Sequence, residues 1–300
     1  MSTKRRALTG VLLLDKPAGL SSTSALGRAR WIFQAEKAGH TGTLDPFATG
    51  LLPICFGEAA KFARFMLDAD KGYRATLKLG ERTPTGDTES TPCELREVNV
   101  DEAKIRAVLA TFLGPQTQIP PMHSALKQGG VPLYKLARKG IEVERAARAI
   151  TIDSLEFVSL DGQQLVIDTR VSKGSYIRVL AEDIGEALGC GAHLTALRRT
   201  STGGFSLADA STLEELEGLA AEQRDGRLRA PDALCPALPA ITLDAVDSKA
   251  FGHGQVLAVP DPGSGEFRVY AGDGRFLGIG TVAAAGDRAT LTPLRLMSGA

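Results

Sequence analysis

The chain has 300 residues, and its 35 basic and 35 acidic side chains leave no net charge. With 43% apolar and 23% charged residues, the composition is that of a globular protein and excludes a mostly disordered, collagen-like or coiled-coil chain. The length favours a large domain followed by a small one, and no apolar run approaches the roughly 18 to 20 residues of a membrane span. Because the basic N-terminus is not followed by the apolar stretch of a secretory signal, we expect a cytoplasmic protein.

The cysteines and histidines do not indicate a metal or redox site. Four of each are dispersed along the chain, with no C-x-x-C pair and no histidine cluster, so we expect reduced thiols and metal-free chemistry. The cysteines are Cys55, Cys93, Cys190 and Cys235, and the histidines are His40, His123, His193 and His253.

The charges are distributed unevenly although they sum to zero. Residues 1–64 contain nine basic and four acidic side chains, and residues 116–150 contain six and two. Residues 210–250 show the opposite bias, with four basic and eight acidic side chains. Two basic blocks in a neutral chain suit a surface for a polyanion on one side of the molecule. From charge alone, ordinary solvated faces explain the two blocks better.

The chain begins with strand and helix signals in alternation. The apolar run Val11 to Leu14 predicts a strand, and a serine between positions 21 and 24 caps a helix that runs to about Gln34. Helical spacing of apolar residues predicts a second helix over Glu58 to Leu67. Alternation over Tyr73 to Leu79 then predicts a strand with Tyr73 on its apolar face.

The middle of the chain combines turns, helices and a hairpin. After a polar turn region at 83–92, Asn99 caps a predicted helix, residues 116–127 are expected to be extended, and a short helix ends at Gly140. Strands over 151–160 and 164–171 flank Asp161-Gly162, which is a strong hairpin signal. A helix over 175–188 carries Arg178 in its first turn, a strand covers 194–200, and Thr212 with Glu215 forms a capping box.

The segment between Arg229 and Ala240 contains three prolines and no periodic pattern, so we place a domain boundary there, with domains at 1–235 and 240–300. Four short strands separated by turns such as Asp273-Gly274 and Gly286-Asp287 predict an all-β second domain. Hairpins mixed with helices in the first domain favour an α+β fold, with a mixed or antiparallel sheet flanked by helices.

The densest local pattern is the segment Gly39 to Gly50, in which glycines and a proline surround Asp45. Such a composition predicts a loop with a fixed, closely packed backbone that presents the carboxylate. From the residues alone, Asp45 is consistent with a turn-capping residue, a metal ligand or a catalytic carboxylate.

Five motifs in order, spread over residues 10–200, closely resemble those of the TruB-type tRNA pseudouridine synthases. They are Gly10 to Gly19, Gly39 to Gly50, Lys71 to Tyr73, Ser172 to Arg178 and Ala192 to Thr200. The stretch Asp273 to Gly280 is similar to the small PUA-like RNA-binding domain that ends bacterial members. The resemblance implies a pseudouridine synthase fold, and isomerisation of uridine to pseudouridine at position 55 in the T loop of tRNA, without a cofactor.

The resemblance also implies roles for individual residues. Asp45 is the expected nucleophile, Arg178 its cationic partner, and Tyr73 the residue that stacks on an extruded base and relays a proton. The supporting residues of the expected substrate pocket are Leu197 in its wall, His40 in the space that the base leaves, and Lys16 and Tyr176 behind the catalytic loop and the arginine. Without the motifs, Arg178 is equally consistent with a surface partner of Glu182, and Tyr73 and Leu197 with core residues.

Two other functions are consistent with these patterns. A guide-RNA-dependent pseudouridine synthase of the dyskerin type shares the catalytic motifs, but this type carries a fuller C-terminal domain and extensions for partner proteins. A non-catalytic RNA-binding or tRNA-folding protein would share the basic blocks without needing Asp45, Tyr73 and Arg178 together. We favour a stand-alone enzyme that acts on the T stem-loop as a monomer.

Overall fold

The computed structural model describes residues 5–285 and 288–298. The strands are β1 (Gly10–Lys16), β2 (Ala38–His40), β3 (Thr49–Phe56), β4 (Lys71–Leu79), β5 (Glu81–Arg82), β6 (Glu94–Leu95), β7 (Gly114–Gln118), β8 (Lys127–Gln128), β9 (Val131–Pro132), β10 (Arg148–Asp161), β11 (Gln164–Val171), β12 (Ala192–Thr202), β13 (Phe205–Ser206), β14 (Ala240–Leu243), β15 (Leu257–Val259), β16 (Gly265–Ala271), β17 (Phe276–Ala285) and β18 (Arg288–Leu296). The α-helices are α1 (Ser22–Ile32), α2 (Arg64–Leu67), α3 (Glu102–Thr111), α4 (Leu133–Ala137), α5 (Ile177–Leu188), α6 (Leu213–Gly218), α7 (Ala221–Asp225) and α8 (Ala245–Gly252). Three 3₁₀ segments cover Gly57–Phe62, Leu207–Asp209 and Pro231–Leu234.

A nine-stranded mixed sheet forms the body of the protein. Its strand order is β1-β3-β12-β4-β11-β10-β7, with β2 added beside β3 and β13 beside β12. The pairs in this sheet are antiparallel except for β12 and β3, which run parallel over a short contact. Because β12 lies between β3 and β4, residues from three distant parts of the chain meet at one end of the sheet.

Both faces of β1 are buried, which explains its unbroken apolar sequence. Leu12 and Leu14 face a large apolar cluster that also contains the buried sides of α1, α3 and α5. Val11 and Leu13 face a second cluster on the other side. The alternation of side chains along a strand thus assigns the two faces of the sheet to two different cores.

The strongly amphipathic helix α5 covers the first face of the sheet. Its apolar side chains, among them Leu180, Ile184 and Leu188, are buried in the large cluster, and the helix ends at Gly189. The helix begins directly after Tyr176, so Arg178 lies in its first turn, as the sequence predicted. The structure adds that Arg178 is buried there. The first turn is therefore the part of α5 that reaches the edge of the core.

The second sheet has the strand order β14-β16-β17-β18-β15 and its own apolar cluster. It is joined to the body through the second cluster, where Ile279 of β17 is buried together with Val11 and Phe62. The rings of Phe62 and Phe276 pack against each other at this junction, with their centroids 5.2 Å apart. The ion pair between Arg64 and Glu266 also crosses this junction.

Three local predictions were wrong. The segment predicted as a helix over 58–67 is a 3₁₀ segment followed by the single turn α2, because the buried residues Ala59 and Phe62 are three apart, which matches a 3₁₀ repeat. The cap of α3 is Asp101 instead of Asn99, because Val100 first packs against the core. The C-terminal segment contains the helix α8, whose cap Asp244 accepts from two backbone N–H groups.

The predicted α+β class, with a mixed sheet flanked by helices, is confirmed, whereas the division into domains at 1–235 and 240–300 stays a prediction. The predicted turn at Gly286-Asp287 lies outside the described residues. Within residues 5–285 and 288–298, no helix has the length and apolar character to cross a membrane. The same residues contain no group of three His, Cys, Asp or Glu side chains placed to hold a metal ion.

Candidate active site

The loop that carries Asp45 connects β2 to β3 and is anchored at several points. We call residues 41–48 the Asp45 loop. The hydroxyl of Ser22, at the start of α1, accepts from Leu44 N at 2.7 Å and donates to Leu44 O at 2.9 Å. Ala48 N donates to Asp45 O at 3.1 Å, which closes a turn around the carboxylate. The glycine-rich pattern thus produces a fixed loop, as the sequence predicted.

Asp45 opens into a cavity of about 410 Å³. Its walls are formed by the Asp45 loop, β4, β12, the first turn of α5 and the segment 124–126. The side chains with chemistry relevant to the site are Asp45, Tyr73, Tyr176, Arg178, Leu197 and Arg199. Five of the seven residues predicted for the site therefore line one cavity.

Arg178 binds the Asp45 carboxylate directly. Its Nε lies 3.0 Å from Asp45 Oδ2 and 3.5 Å from Oδ2 of a second carboxylate, Asp87. Nη1 donates to Thr85 O at 3.0 Å and Nη2 donates to His123 O at 2.6 Å. The guanidinium is thus held by four contacts from three separate loops. The alternative pairing with Glu182 is not the one that the structure shows.

The environment of Asp45 changes its acidity in opposing ways. Burial raises the pKa of Asp45 above its ordinary value, and the charge of Asp87 raises it further. The positive charges of Arg178 and Lys16 and the hydrogen bond from Arg178 lower it again, without cancelling the effect of burial. Because 34% of the Asp45 side chain is exposed, against 6% for Arg178, water can still reach and stabilise the carboxylate.

Tyr73 and Leu197 form the apolar wall opposite the carboxylate. Tyr73 points to the buried face of β4 and is 8% exposed, and Leu197 on the adjacent β12 is 7% exposed. The guanidinium of Arg199, which pairs with Tyr73 across the two strands, lies 5.7 Å from the centre of the tyrosine ring. A planar apolar surface therefore lies beside the Asp45–Arg178 pair.

Lys16 and Tyr176 lie close to this pair. The Lys16 ammonium is buried and donates to the carbonyl oxygens of Pro17, Leu20 and Pro46, the last of these next to Asp45. Burial lowers the pKa of Lys16 to about 8, although the charge of Asp45 opposes this effect. Tyr176 precedes Arg178 at the start of α5, where burial raises the pKa of its phenol.

His40, like Lys16, is a predicted site residue that does not line the cavity. It lies on β2, and its Nδ1 accepts from Gly42 N at 3.4 Å. Burial and the nearby charge of Arg199 lower the pKa of His40, which favours the neutral imidazole. Its suggested role in filling the space of an extruded base stays a prediction.

Sequence analysis missed two charged residues of this site. Asp87 lies in the polar turn region 83–92, and Arg199 lies in the last of the five motifs, but neither was assigned a role. Both are almost fully buried, at 2% and 1% exposure. The sequence offered a signal for Arg199, because it is a charged residue inside a recognisable motif. That both side chains are buried could be seen only in the fold.

We expect the Asp87→Asn substitution to slow catalysis about 10- to 100-fold, because hydrogen bonds to charged groups contribute about 1.5 to 3 kcal/mol. Asp87 also accepts from Thr85 Oγ1 at 2.6 Å and from Glu89 N at 2.9 Å, so it fixes the turn that contacts Arg178. Losing its charge removes one cause of the raised pKa of Asp45. The acid limb of the pH–rate profile should therefore move to lower pH, and an unchanged profile would contradict this coupling.

Comparisons with known proteins identify the class to which this fold and site belong. The model of the TruB family pseudouridylate synthase N-terminal domain matches residues 30–177. Two C-terminal models follow, the tRNA pseudouridylate synthase B C-terminal domain at 178–238 and the C-terminal part of pseudouridine synthase II TruB at 239–297. The class is thus that of the pseudouridine synthases, which are isomerases.

Individual relatives match over nearly the whole chain. A protein of Burkholderia mallei named tRNA pseudouridine synthase B is 52% identical, with 98% of each chain covered. The protein of the same name from Thiobacillus denitrificans is 49% identical, with 99% of each chain covered. The chain belongs to the TruB family of pseudouridylate synthases, which confirms the resemblance seen in its motifs.

Solved structures with the same fold confirm the predicted fold class. The chain is similar to one in the crystal structure of a Cbf5–Nop10–Gar1 complex, with a TM-score of 0.75 and 26% identity over 97% of this chain and 86% of that one. It is also similar to one in the archaeal box H/ACA sRNP Nop10–Cbf5 complex, with a TM-score of 0.73, 25% identity and the same coverage.

Proposed function

We propose that this protein isomerises uridine to pseudouridine at position 55 in the T loop of tRNA, with Asp45 as the nucleophile. The observation that carries the proposal is the Asp45–Arg178 contact of 3.0 Å in a cavity with an apolar wall. Relatives with about half of their residues in common are named tRNA pseudouridine synthase B, which supports tRNA as the substrate. Membership of the TruB family of pseudouridylate synthases supports the isomerisation of uridine.

These side chains can meet most of the demands of the reaction. The bond between uracil N1 and ribose C1′ breaks, a new bond joins C1′ to C5, and the proton lost from C5 is balanced by one gained at N1. Asp45 attacks either C1′ of the ribose or C6 of the uracil, and is released again when the isomerised base is in place. Arg178 keeps the carboxylate ionised and oriented while the base excludes water.

The target base must leave its stack in a folded RNA loop before Asp45 can reach it. Tyr73 offers a ring face on which the extruded uracil stacks, and Leu197 packs beside it. The cavity of about 410 Å³ lies within the range of roughly 300 to 1,000 Å³ that is usual for small-ligand sites. In this proposal the phenol of Tyr73 also relays the C5 proton.

A basic surface beside the cavity supports an RNA substrate. The segment 124–126, which lines the cavity, leads into β8, β9 and α4. The residues from 127 to 139 that form these elements carry four exposed cations, Lys127, Lys135, Arg138 and Lys139. These charges lie in one of the two basic blocks found in the sequence, and they suit contacts with phosphate groups that position the RNA.

The experiment that tests the function is tritium release from a tRNA transcript labelled at uridine C5. We expect the purified protein alone to release one equivalent of tritium, with no added metal, nucleotide or guide RNA. A transcript in which cytidine replaces the uridine at position 55 is the control and should release none from that site. Activity that appears only with a guide RNA or a partner protein would overturn the stand-alone function and favour the guide-dependent alternative.

We expect Tyr73→Phe and Tyr73→Ala to differ. The phenylalanine variant keeps the ring face but lacks the phenol, whereas the alanine variant lacks both. Because stacking of a base on an aromatic ring contributes about 1 to 3 kcal/mol, the alanine variant should bind the extruded base at least about tenfold more weakly than the phenylalanine variant. Single-turnover kinetics measure both variants, and equal kinetics would contradict the stacking role.

A further inference from the structure

The side chain of Arg199 binds two backbone carbonyl groups, one within the Asp45 loop and one in β3 just after it. Nη2 donates to Thr43 O at 2.8 Å, and Nη1 donates to Leu51 O at 3.3 Å. These carbonyl groups lie two residues before Asp45 and six residues after it. One rigid, planar guanidinium therefore sets the distance between the two ends of the segment that presents the nucleophile.

The backbone of Arg199 is fixed to the same segment. In the short parallel contact between β12 and β3, Arg199 is paired with Gly50. Gly50 has a φ of +100°, and a Cβ at this position would lie 2.3 Å from Arg199 O. Only glycine allows this approach. The start of β3, which directly follows the Asp45 loop, is thus held by both the main chain and the side chain of one residue.

Arg199 has an unusual set of partners for a buried cation. Within the part of the chain that the structure describes, no carboxylate lies within 4.0 Å of its guanidinium, and its Nε has no hydrogen-bond partner. The neighbouring Arg198 points to the opposite face of β12 and makes a two-point contact with Asp15. The charge of Arg199 is directed instead to the loop carbonyls and to the ring of Tyr73.

A second buried cation holds the loop from the other side. Lys16 donates to Pro46 O at 3.3 Å, directly after Asp45. Arg199 thus binds the backbone two residues before Asp45, and Lys16 binds it one residue after. Because these contacts fix the loop, they also fix the position from which Asp45 Oδ2 contacts Arg178. Neither Arg199 nor Lys16 contacts the Asp45 carboxylate as an ion pair under 4.0 Å in the described residues.

We propose that Arg199 is a positioning residue that holds the Asp45 loop so that Asp45 stays against Arg178 and faces the substrate. The inference rests on the proposed function, because it assigns Arg199 to the same nucleophile. It predicts that loss of the guanidinium slows the chemical step while RNA binding stays close to that of the unchanged protein.

The test compares Arg199→Met and Arg199→Lys with a matched control, Arg74→Met. Arg74 lies next to Tyr73 on β4, but it is 55% exposed and pairs with Asp168 on the other face of the sheet. The Arg74→Met control thus removes a positive charge from the same sheet but leaves the contacts of the Asp45 loop unchanged. Each variant is measured for thermal unfolding, for tRNA affinity, and for the single-turnover rate with saturating enzyme as a function of pH.

We expect Arg199→Met to lose about 100-fold in single-turnover rate, the effect of a displacement of about 1 Å at a reacting group. Arg199→Lys should lie between this variant and the unchanged protein, because an ammonium group cannot reproduce the two-point guanidinium geometry. The charged groups that face Asp45 are Arg178, Asp87 and Lys16. As Asp45 moves from Arg178 its pKa rises, so the acid limb of the rate profile should move to higher pH.

A merely structural role would lower the amount of folded protein without moving the acid limb. If Arg199→Met does not fold, the same comparison is made with Arg199→Lys. Rates and acid limbs equal to those of Arg74→Met would overturn the proposal, provided that the unchanged protein is active and Asp45→Asn is not. An inactive unchanged protein, or an active Asp45→Asn variant, would instead overturn the proposed function.

Discussion

We expect Asp45→Asn to abolish pseudouridine formation, with a loss of more than about 10⁴-fold, because the amide removes the nucleophile and with it the covalent route. The amide has nearly the same shape as the carboxylate, so the anchored loop should keep its position. Affinity for tRNA should change little, because contacts to phosphate groups dominate RNA binding. Tritium release and a filter-binding titration measure the two quantities separately.

The matched control for this variant is Asp168→Asn. Asp168 is 37% exposed and pairs with Arg74 on the outer face of the sheet, where an ion pair contributes about 1 kcal/mol or less. The control should retain the activity of the unchanged protein. Measurable turnover by an Asp45→Asn preparation free of unchanged enzyme would remove Asp45 from the role of nucleophile.

The acidity of Asp45 gives the sign of the pH dependence. The carboxylate must be ionised to attack, so activity is present above its pKa and is lost as the pH falls through it. Because burial raises this pKa, the loss should begin at a higher pH than for an ordinary aspartate. A rate that persists unchanged down to the ordinary pKa of an aspartate would contradict this assignment.

We expect Arg178→Met to be the second most damaging substitution. Removing one partner of a buried ion pair costs about 3 to 5 kcal/mol, and a cost of this size in the transition state lowers the rate about 100- to 5,000-fold. The variant also loses the donors to Thr85 O and His123 O, so two loops lose their common anchor. Single-turnover rates measured over a range of pH give the effect.

In Arg178→Met the acid limb should move to higher pH, opposite to the direction expected for Asp87→Asn. The reason is that Arg178 lowers the pKa of Asp45 whereas Asp87 raises it. Arg178→Lys keeps the charge but not the two outer donors, and it separates the effect of charge from that of geometry. Normal activity of Arg178→Met near neutral pH would contradict the pairing.

The sequence predicts the elements that rest on local chemistry. The hairpin signal Asp161-Gly162 lies at the turn between two long strands, where Asp161 ends β10 and Gly162 begins the turn. Thr212 and Glu215 form their capping box, and Arg178 lies in the first turn of α5. These features depend on a few neighbouring residues, so they can be recognised without knowing the fold. The Gly39 to Gly50 pattern likewise indicates a fixed loop, although only the family resemblance assigned a role to Asp45.

The rest of the site depends on contacts between residues far apart in the chain. Asp87 and Arg178 are 91 positions apart and meet because the turn region 83–92 and α5 pack at the same end of the sheet. Arg199 is identified as a buried cation only when β12 is known to run beside β3. The helix α8 was not predicted although its cap, Asp244, is a typical capping residue. The reason is that this eight-residue helix buries little apolar surface and has no clear periodicity.

The apolar cluster between the two sheets also affects how the chain unfolds. Val11 and Phe62 from the body share this cluster with Ile279, so a cut in the proline-containing connection would leave both fragments associated through buried surface. The two sheets should melt in one cooperative transition, and deletion of residues 240–300 would expose an apolar patch prone to aggregation. We therefore expect the C-terminal sheet to unfold together with the body, whatever it contributes to RNA binding.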